Sequence, residues 1–253
     1  MIEVNFIGRF GNNMFQYALG KILSDEKGYD LKVNGIENLL MFPDVKEITG
    51  RITKKESPLT IGYGSEEHTL QNFNVKKTLE HDGKILVNGF FQRKDFYLEH
   101  EHKLKKLFYY DDSKFRKPEE NALVIHYRLT DYLSLGWNFS PEIFSRVIEE
   151  ESIKYDKCYV VTDQPTSSYL PTLKIEHEVI HQDSFSDFTF LKNAKKLIVS
   201  HSSFSWWAMF LGEQESVFIP CFNASSAPWK INPSHDDQDL ILTGDKYIVK
   251  VMD

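Results

Sequence analysis

The chain has 253 residues, 41% hydrophobic and 14% aromatic, which suits one large core or two smaller ones and excludes a disordered chain. A net charge of −7 and a pI near 5.7 exclude nucleic acid or an anionic membrane as a partner of the whole surface, so any anion site must be built locally. Cys158 and Cys221, far apart and in no C-x-x-C spacing, exclude a disulfide framework and a zinc ribbon and fit a reducing compartment.

The opening MIEVNFIG has no basic region before a long apolar stretch, and no window approaches the roughly 18 consecutive apolar residues of a membrane span. The expectation is a cytoplasmic protein without an integral membrane segment. The sequons Asn138-Phe139-Ser140 and Asn223-Ala224-Ser225 then carry no meaning. Glu3–Ile7 reads as a strand running into Gly8-Arg9-Phe10-Gly11-Asn12. Met14, Phe15, Tyr17, Ala18, Leu19, Ile22 and Leu23 then recur at helical spacing up to Lys27-Gly28. A second strand is expected over Tyr29–Val33, giving the first half of a doubly wound sheet. Residues 35–84, interrupted by Pro43, Pro58, Gly62 and Gly64, predict loops and a few short elements. Ile85–Asn88 is another strand, and Arg93–Phe108 an amphipathic helix. Tyr109–Asn121, polar and containing a proline, is the expected linker, which divides the chain into domains 1–117 and 118–253.

The second half alternates more regularly. Apolar β-rich runs at Leu123–Ile125, Cys158–Val161, Leu197–Val199 and Val217–Ile219 are separated by helical patterns, one after Pro141 and one after Ser186, which can cap it. This pattern is α/β with a parallel sheet. Polar residues fall where the strands end: His126 and Arg128 in LVIHYRLTDY, Asp163 in VVTDQP, and Ser202 and Ser203 in SHSSFSWW. Ligands bind at the carboxyl ends of such strands. Taken singly, H-x-R-x-x-D reads equally as an ordinary polar loop. The serines can merely cap a helix whose Trp206, Trp207, Phe210 and Leu211 fill the core, or they can offer a phosphate the free N–H groups of a helix N-terminus.

Together these stretches resemble the α-1,2-fucosyltransferases of glycosyltransferase family 11, relatives of the α-1,6- and protein O-fucosyltransferases. GRFGNNMFQYALG is similar to that family's G-x-x-G-N-Q-x-F-Q-Y-A, and VNGFFQ to its G-[YF]-[FW]-Q. VIHYRLTDY is similar to H-x-R-R-G-D-Y, VVTDQP to the S-D-D stretch, and HSSFSWWAMFL to N-S-S-F-S-W-W-G-A-W-L. The resemblance implies a GT-B-like fold of two Rossmann-like domains facing a cleft, the carboxyl-terminal one holding GDP-fucose and the amino-terminal one shaping the acceptor site. It implies inverting, metal-independent transfer of L-fucose from GDP-fucose to a hydroxyl of a glycan acceptor, α-1,2 to galactose, with no cofactor. Arg128 would grip the β-phosphate. His126 and Asp163 would approach the guanine or its ribose, and Ser202 and Ser203 would meet the diphosphate. Gly8, Gly11 and Asn12 would allow close backbone approach near the sugar and diphosphate. Asp131 is the first candidate for the general base, with holding Arg128 as its other role, and Glu142 is a second by proximity in sequence.

The chain departs from the pattern at Leu129, where the family has a second arginine, at Thr130 in place of its glycine, at Asn13 in place of its glutamine, and at His201 in place of its first asparagine. Loss of the second arginine keeps two other readings open, a transferase for another GDP-deoxyhexose and a non-catalytic GDP-sugar-binding protein. A partly charged His201 would compensate for it. His177-Glu178-Val179-Ile180-His181 matches the H-E-x-x-H zinc signature, but it lies in a short run that reads as strand or loop, where the signature needs a helix.

Overall fold

The computed structural model describes residues 1–46, 59–62, 74–130, 141–222 and 239–252. Its described residues divide into two compact units: 1–110 with Asp239 form the first, and 111–222 with 240–252 the second.

In the first unit β1 (Ile2–Asn5) leads into α1 (Phe10–Lys27), and Gly28 ends that helix in the left-handed conformation at φ 64°. The strands β2 (Leu31–Asn34), β3 (Leu59–Gly62) and β4 (Ile85–Asn88) complete a parallel sheet of order β2-β1-β4-β3. Met14, Tyr17, Ala18, Leu19 and Leu23 of α1 are all buried. A Cβ on Gly20 would come within 2.4 Å of a Val4 methyl, so only glycine lets α1 lie this close to β1. A 3₁₀ turn at Ile36–Leu39 and the short helix α2 (Val75–Leu79) are the other described elements of the stretch expected to hold loops and short elements. The single helix expected over Arg93–Phe108 is two, α3 (Asp95–Leu98) and α4 (Glu101–Leu107), interrupted at Glu99-His100. Tyr97, fully buried, explains the fixed first piece: its hydroxyl donates to the carbonyls of Phe91 (2.7 Å) and Phe15 (3.3 Å).

The second unit is a six-stranded parallel sheet of order β10-β9-β8-β5-β6-β7. Its strands are β5 (Ala122–Tyr127), β6 (Lys157–Thr162), β7 (Glu178–Ile180), β8 (Lys196–Ile198), β9 (Ser216–Phe222) and β10 (Tyr247–Met252). The helices are α5 (Pro141–Ser152), α6 (Ser184–Lys192) and α7 (Ser203–Leu211). All six residues of β5 are buried, as a strand covered on both faces requires. Leu123, Ile125, Tyr127 and Leu129 join Val147 and Ile148 of α5 in one core cluster. Leu129, at the family's second-arginine position, is therefore an interior residue, 1% exposed.

Two sequence expectations change here, the cap of the second unit's middle helix and the linker, while the reading of the H-E-x-x-H run as strand or loop holds. Helix α6 is capped by Asp183, which accepts from the N–H groups of Phe185 and Ser186 at 3.0 Å each, and Ser186 lies inside the helix. The middle of the H-E-x-x-H run, Glu178–Ile180, is the strand β7 with His177 and His181 flanking it, and an extended chain separates residues four apart by about 13 Å. Glu178 pairs with Arg116 (2.8 Å) and Lys157 (3.4 Å). The expected linker is fastened to the second unit over much of its length. Asp112 bonds Lys192 and Asn193 at 2.9 Å, Phe115 packs on Phe185, and Arg116 lies over the rings of Tyr159 and Phe190. Burial alone would raise the Asp112 carboxyl, but hydrogen bonds from Lys117, Lys192 and Asn193 hold it well below the usual carboxylate range.

Candidate active site

Open α/β sheets bind ligands at the carboxyl ends of their strands, at the place where the chain reverses its direction of winding. In the second unit the chain runs outward from β5 through β6 to β7, then returns to the other side of β5 and runs outward through β8 to β10. The reversal lies between β5 and β8.

His126, Arg128, Asp163, Ser202 and Ser203 lie at or just beyond the carboxyl ends of β5, β6 and β8, along this rim. His126, 4% exposed near the end of β5, and Ser200, just beyond β8, share a hydrogen bond of 2.7 Å between Nδ1 and Oγ. The imidazole lies against Phe204, with ring centroids 5.6 Å apart. Burial lowers its pKa from 6.5 to about 4, against the opposing pull of Asp163, so it is neutral at physiological pH. Expected near the guanine or its ribose, His126 lies inside the sheet and ties the two strands of the reversal together.

Arg128 follows β5 directly, and its Nε is 3.1 Å from Asp163 Oδ2. The Asp163 carboxylate also accepts from the backbone N–H groups of Leu129 (2.9 Å) and Thr130 (3.3 Å) and from the Thr130 hydroxyl. Asp131, the first candidate base, lies outside the described residues, and nothing is described of the Glu142 side chain.

Ser202 caps α7, its Oγ accepting from Phe204 N–H at 3.2 Å, and Ser203 is the first residue of the helix. Ser205, one turn inside, donates to the Ser200 carbonyl at 3.0 Å. The N-terminus of α7 thus opens beside the end of β8 and the reversal point. His201, expected to supply compensating charge, does not: it is 2% exposed, its Nε2–H donates to the Pro220 carbonyl at 2.5 Å, and burial lowers it to about 4. Trp206 and Trp207 are fully buried, as the capping reading of this stretch required, and the Trp206 indole N–H bonds the Leu240 carbonyl at 2.8 Å.

In the first unit β1 and β4 are neighbouring parallel strands. Gln16, fully buried on α1, accepts from Ile7 N–H (3.1 Å) and donates to the Ile7 and Gly89 carbonyls (both 3.1 Å), closing the gap between the two strand ends. Gly8 has φ 80°, and a Cβ there would be 2.2 Å from the Asn12 amide. Asn12 accepts from Gln92 at 2.7 Å, and Asn13 from Asn38 at 2.9 Å. Gly11 is buried in the first turn of α1. Gln16, Gln92 and Ser200 were given no role from the sequence, and Thr130 was named there only as a departure from the family's glycine. The available signal was polarity in an apolar setting, since Gln16 sits between Phe15 and Tyr17 on the buried face of a helix.

Among the described residues no three His, Cys, Asp or Glu side chains are grouped to hold a metal, and no helix is long and apolar enough to cross a membrane. Cys158 and Cys221 are buried free thiols, and burial pushes Cys221 up to about 12.

The profile of glycosyl transferase family 11 matches residues 172–241, a span that includes β7, α6, β8, α7 and β9. The alpha-1,2-colitosyltransferase of Escherichia coli is 23% identical over 261 residues, covering 83% of this chain and 87% of that protein. Among solved structures, FUT1 of Arabidopsis thaliana, a mutant in complex with GDP, aligns with a TM-score of 0.53 at 11% identity, over 90% of this chain and 71% of that one. NodZ alpha-1,6-fucosyltransferase co-crystallized with GDP aligns at 0.48 and 10% identity, over 85% and 93% of the two chains. The chain is similar to glycosyltransferase family 11 in sequence, and its two parallel-sheet α/β units form a GT-B-like fold.

Proposed function

We propose that this protein is a fucosyltransferase that moves L-fucose from GDP-fucose to a hydroxyl of a glycan acceptor, α-1,2 to galactose, with inversion and without a metal or other cofactor. The observation that carries this reading is that one rim of the second sheet carries both a permanently charged guanidinium, Arg128, just past β5, and, just past the adjacent strand β8, the N-terminus of α7. Both suit a diphosphate, and the family profile spans that helix. As the glycosidic bond breaks, charge accumulates on the β-phosphate. A fixed guanidinium and the N–H groups around Ser202 and Ser203 oppose it without reorganising. Asp131, within the same motif, is the proposed base for the acceptor hydroxyl.

The test is calorimetric titration with GDP and UDP, then turnover with acceptor. GDP is expected to bind and UDP to bind more weakly, and Arg128→Ala is expected to lose roughly 1.5–3 kcal/mol, the worth of a charged hydrogen bond. Failure to bind GDP would remove the proposal. A second donor has its own support, because the Escherichia coli relative is named for colitose, another deoxyhexose. Competition between GDP-fucose and GDP-colitose in the same turnover assay separates the two. Donor binding with no transfer to any acceptor would leave a GDP-sugar-binding protein.

A further inference from the structure

We propose that Asp163 is a positioning residue that aims Arg128, and that it does not read the nucleotide base. This inference rests on the fucosyltransferase reading for what Arg128 acts on. A carboxylate offers about four lone-pair positions. Asp163 has four donors within its own unit: the Arg128 Nε–H, the N–H groups of Leu129 and Thr130, and the Thr130 hydroxyl. The acceptor capacity that a guanine edge would need is taken up by three consecutive residues. Those three residues form the segment that leaves β5 at the reversal point.

The clasp does two separate things. Through the two backbone N–H groups it fixes the path of the chain after β5, and through Nε it fixes the plane of the guanidinium. A guanidinium is a flat fork, and its fit to a phosphate depends on orientation in a way that an ammonium's does not. Thr130 belongs to the same device. The position resembles a glycine position of family 11, where no hydroxyl could reach the carboxylate, and here the hydroxyl supplies a fourth contact. Leu129, buried in the core beside Tyr127 and Val147, anchors the segment from its other face. A chain with one arginine at this motif depends more heavily on the aim of that arginine, and the Asp163–Thr130 pair supplies that aim.

Asp163→Asn separates the two roles. Its Oδ1 keeps the acceptor for the two backbone N–H groups, and its Nδ2 can donate to the Thr130 hydroxyl oxygen, but it offers nothing to Arg128 Nε–H. In a transfer assay with saturating acceptor, kcat is expected to fall at least about tenfold while the donor KM moves less than about threefold, because removing a negative charge near a diphosphate offsets part of the binding loss. In an Arg128→Lys background the same change is expected to have almost no effect, since a lysine is a point charge without a plane to orient. Equal and additive losses in the two backgrounds, or an unchanged kcat, would overturn the proposal. A second readout needs no activity. The Arg128 side-chain Nε–H signal in ¹H–¹⁵N spectra, assigned by its loss in Arg128→Lys, is expected to be protected from exchange in the native protein and unprotected in Asp163→Asn. Protection unaffected by Asp163→Asn would also overturn it. If the native protein shows neither GDP binding nor transfer, the fucosyltransferase reading falls, and the exchange measurement still decides whether Asp163 holds Arg128.

Discussion

His126 and His201 are enclosed on all sides and uncharged, each lowered by burial from 6.5 to about 4. Unfolding returns them to water, where imidazoles take up protons below about 6.5, so between there and pH 4 the unfolded chain binds more protons than the native one. Stability is therefore full above pH 6.5 and declines as the pH falls toward 4, by about 3 kcal/mol for each histidine at the lower end. Urea unfolding at about pH 7 and about pH 4.5 should show this loss. His201→Asn should lose about half of the dependence, since His126 alone then titrates. Gln16 sets a similar single-residue case in the first unit. Gln16→Ala would leave Ile7 N–H and two carbonyls without their partner, at a cost of about 3 kcal/mol in urea unfolding. At this scale the strand-end placement of the candidate site residues was legible in the sequence, and their contacts were not. Arg128, Asp163 and Ser202 do gather at one rim of one sheet, because a short apolar strand followed by polar residues is legible in the order of residue types. That Asp163 faces Arg128 was not legible, since their contact joins residues from two strands whose side-by-side register only the folded sheet determines.

Turns and caps carry most of the local specification at the scale of elements. Gly8 and Gly28 both have positive φ, but their surroundings differ. Nothing lies within 4 Å of a Cβ on Gly28, so Gly28→Ala should cost only the conformational term, about 1 kcal/mol. A Cβ on Gly8 would press on Asn12 as well, so Gly8→Ala should cost about 2 kcal/mol or more and disturb the Asn12–Gln92 bond. Thermal melts of the two variants side by side would show the difference. Asp183→Ala should cost about 1 kcal/mol through α6, and Ser186→Ala less, since Ser186 contributes only a hydroxyl bond to the capping carboxylate. The strand and helix of the amino-terminal motif were legible because glycines bracket an uninterrupted 3.6-residue pattern. The break between α3 and α4 was not, because the apolar spacing of Tyr97, Leu104 and Leu107 continues through it and tertiary bonds from Tyr97 decide where the first piece stops. The edge strand β10 was not singled out, although its six residues carry one charge and follow directly on a turn at Gly244.

At the scale of the whole molecule, two parallel sheets with separate cores predict calorimetric unfolding in two overlapping transitions. The donor site proposed here lies in the second unit, so GDP should raise the transition of that unit selectively, by about 2.7 kcal/mol of added stability at a hundredfold excess over its Kd. The α/β class of each half was legible from alternation alone, whereas the assignment of residues to halves was not fully so. Asp239 is bonded to the first unit, through Gln92 and Lys94, while its neighbour Leu240 accepts from Trp206 in the second. A polypeptide severed at Tyr110–Asp111 would therefore yield two pieces neither of which is self-sufficient. The amino-terminal piece would lack the backbone that satisfies Gln92 and Lys94, and the carboxyl-terminal piece would carry that backbone with nothing to receive it. Such pieces should recover their structure only when mixed, which makes this chain a natural candidate for fragment complementation and a poor one for dissection into independent modules.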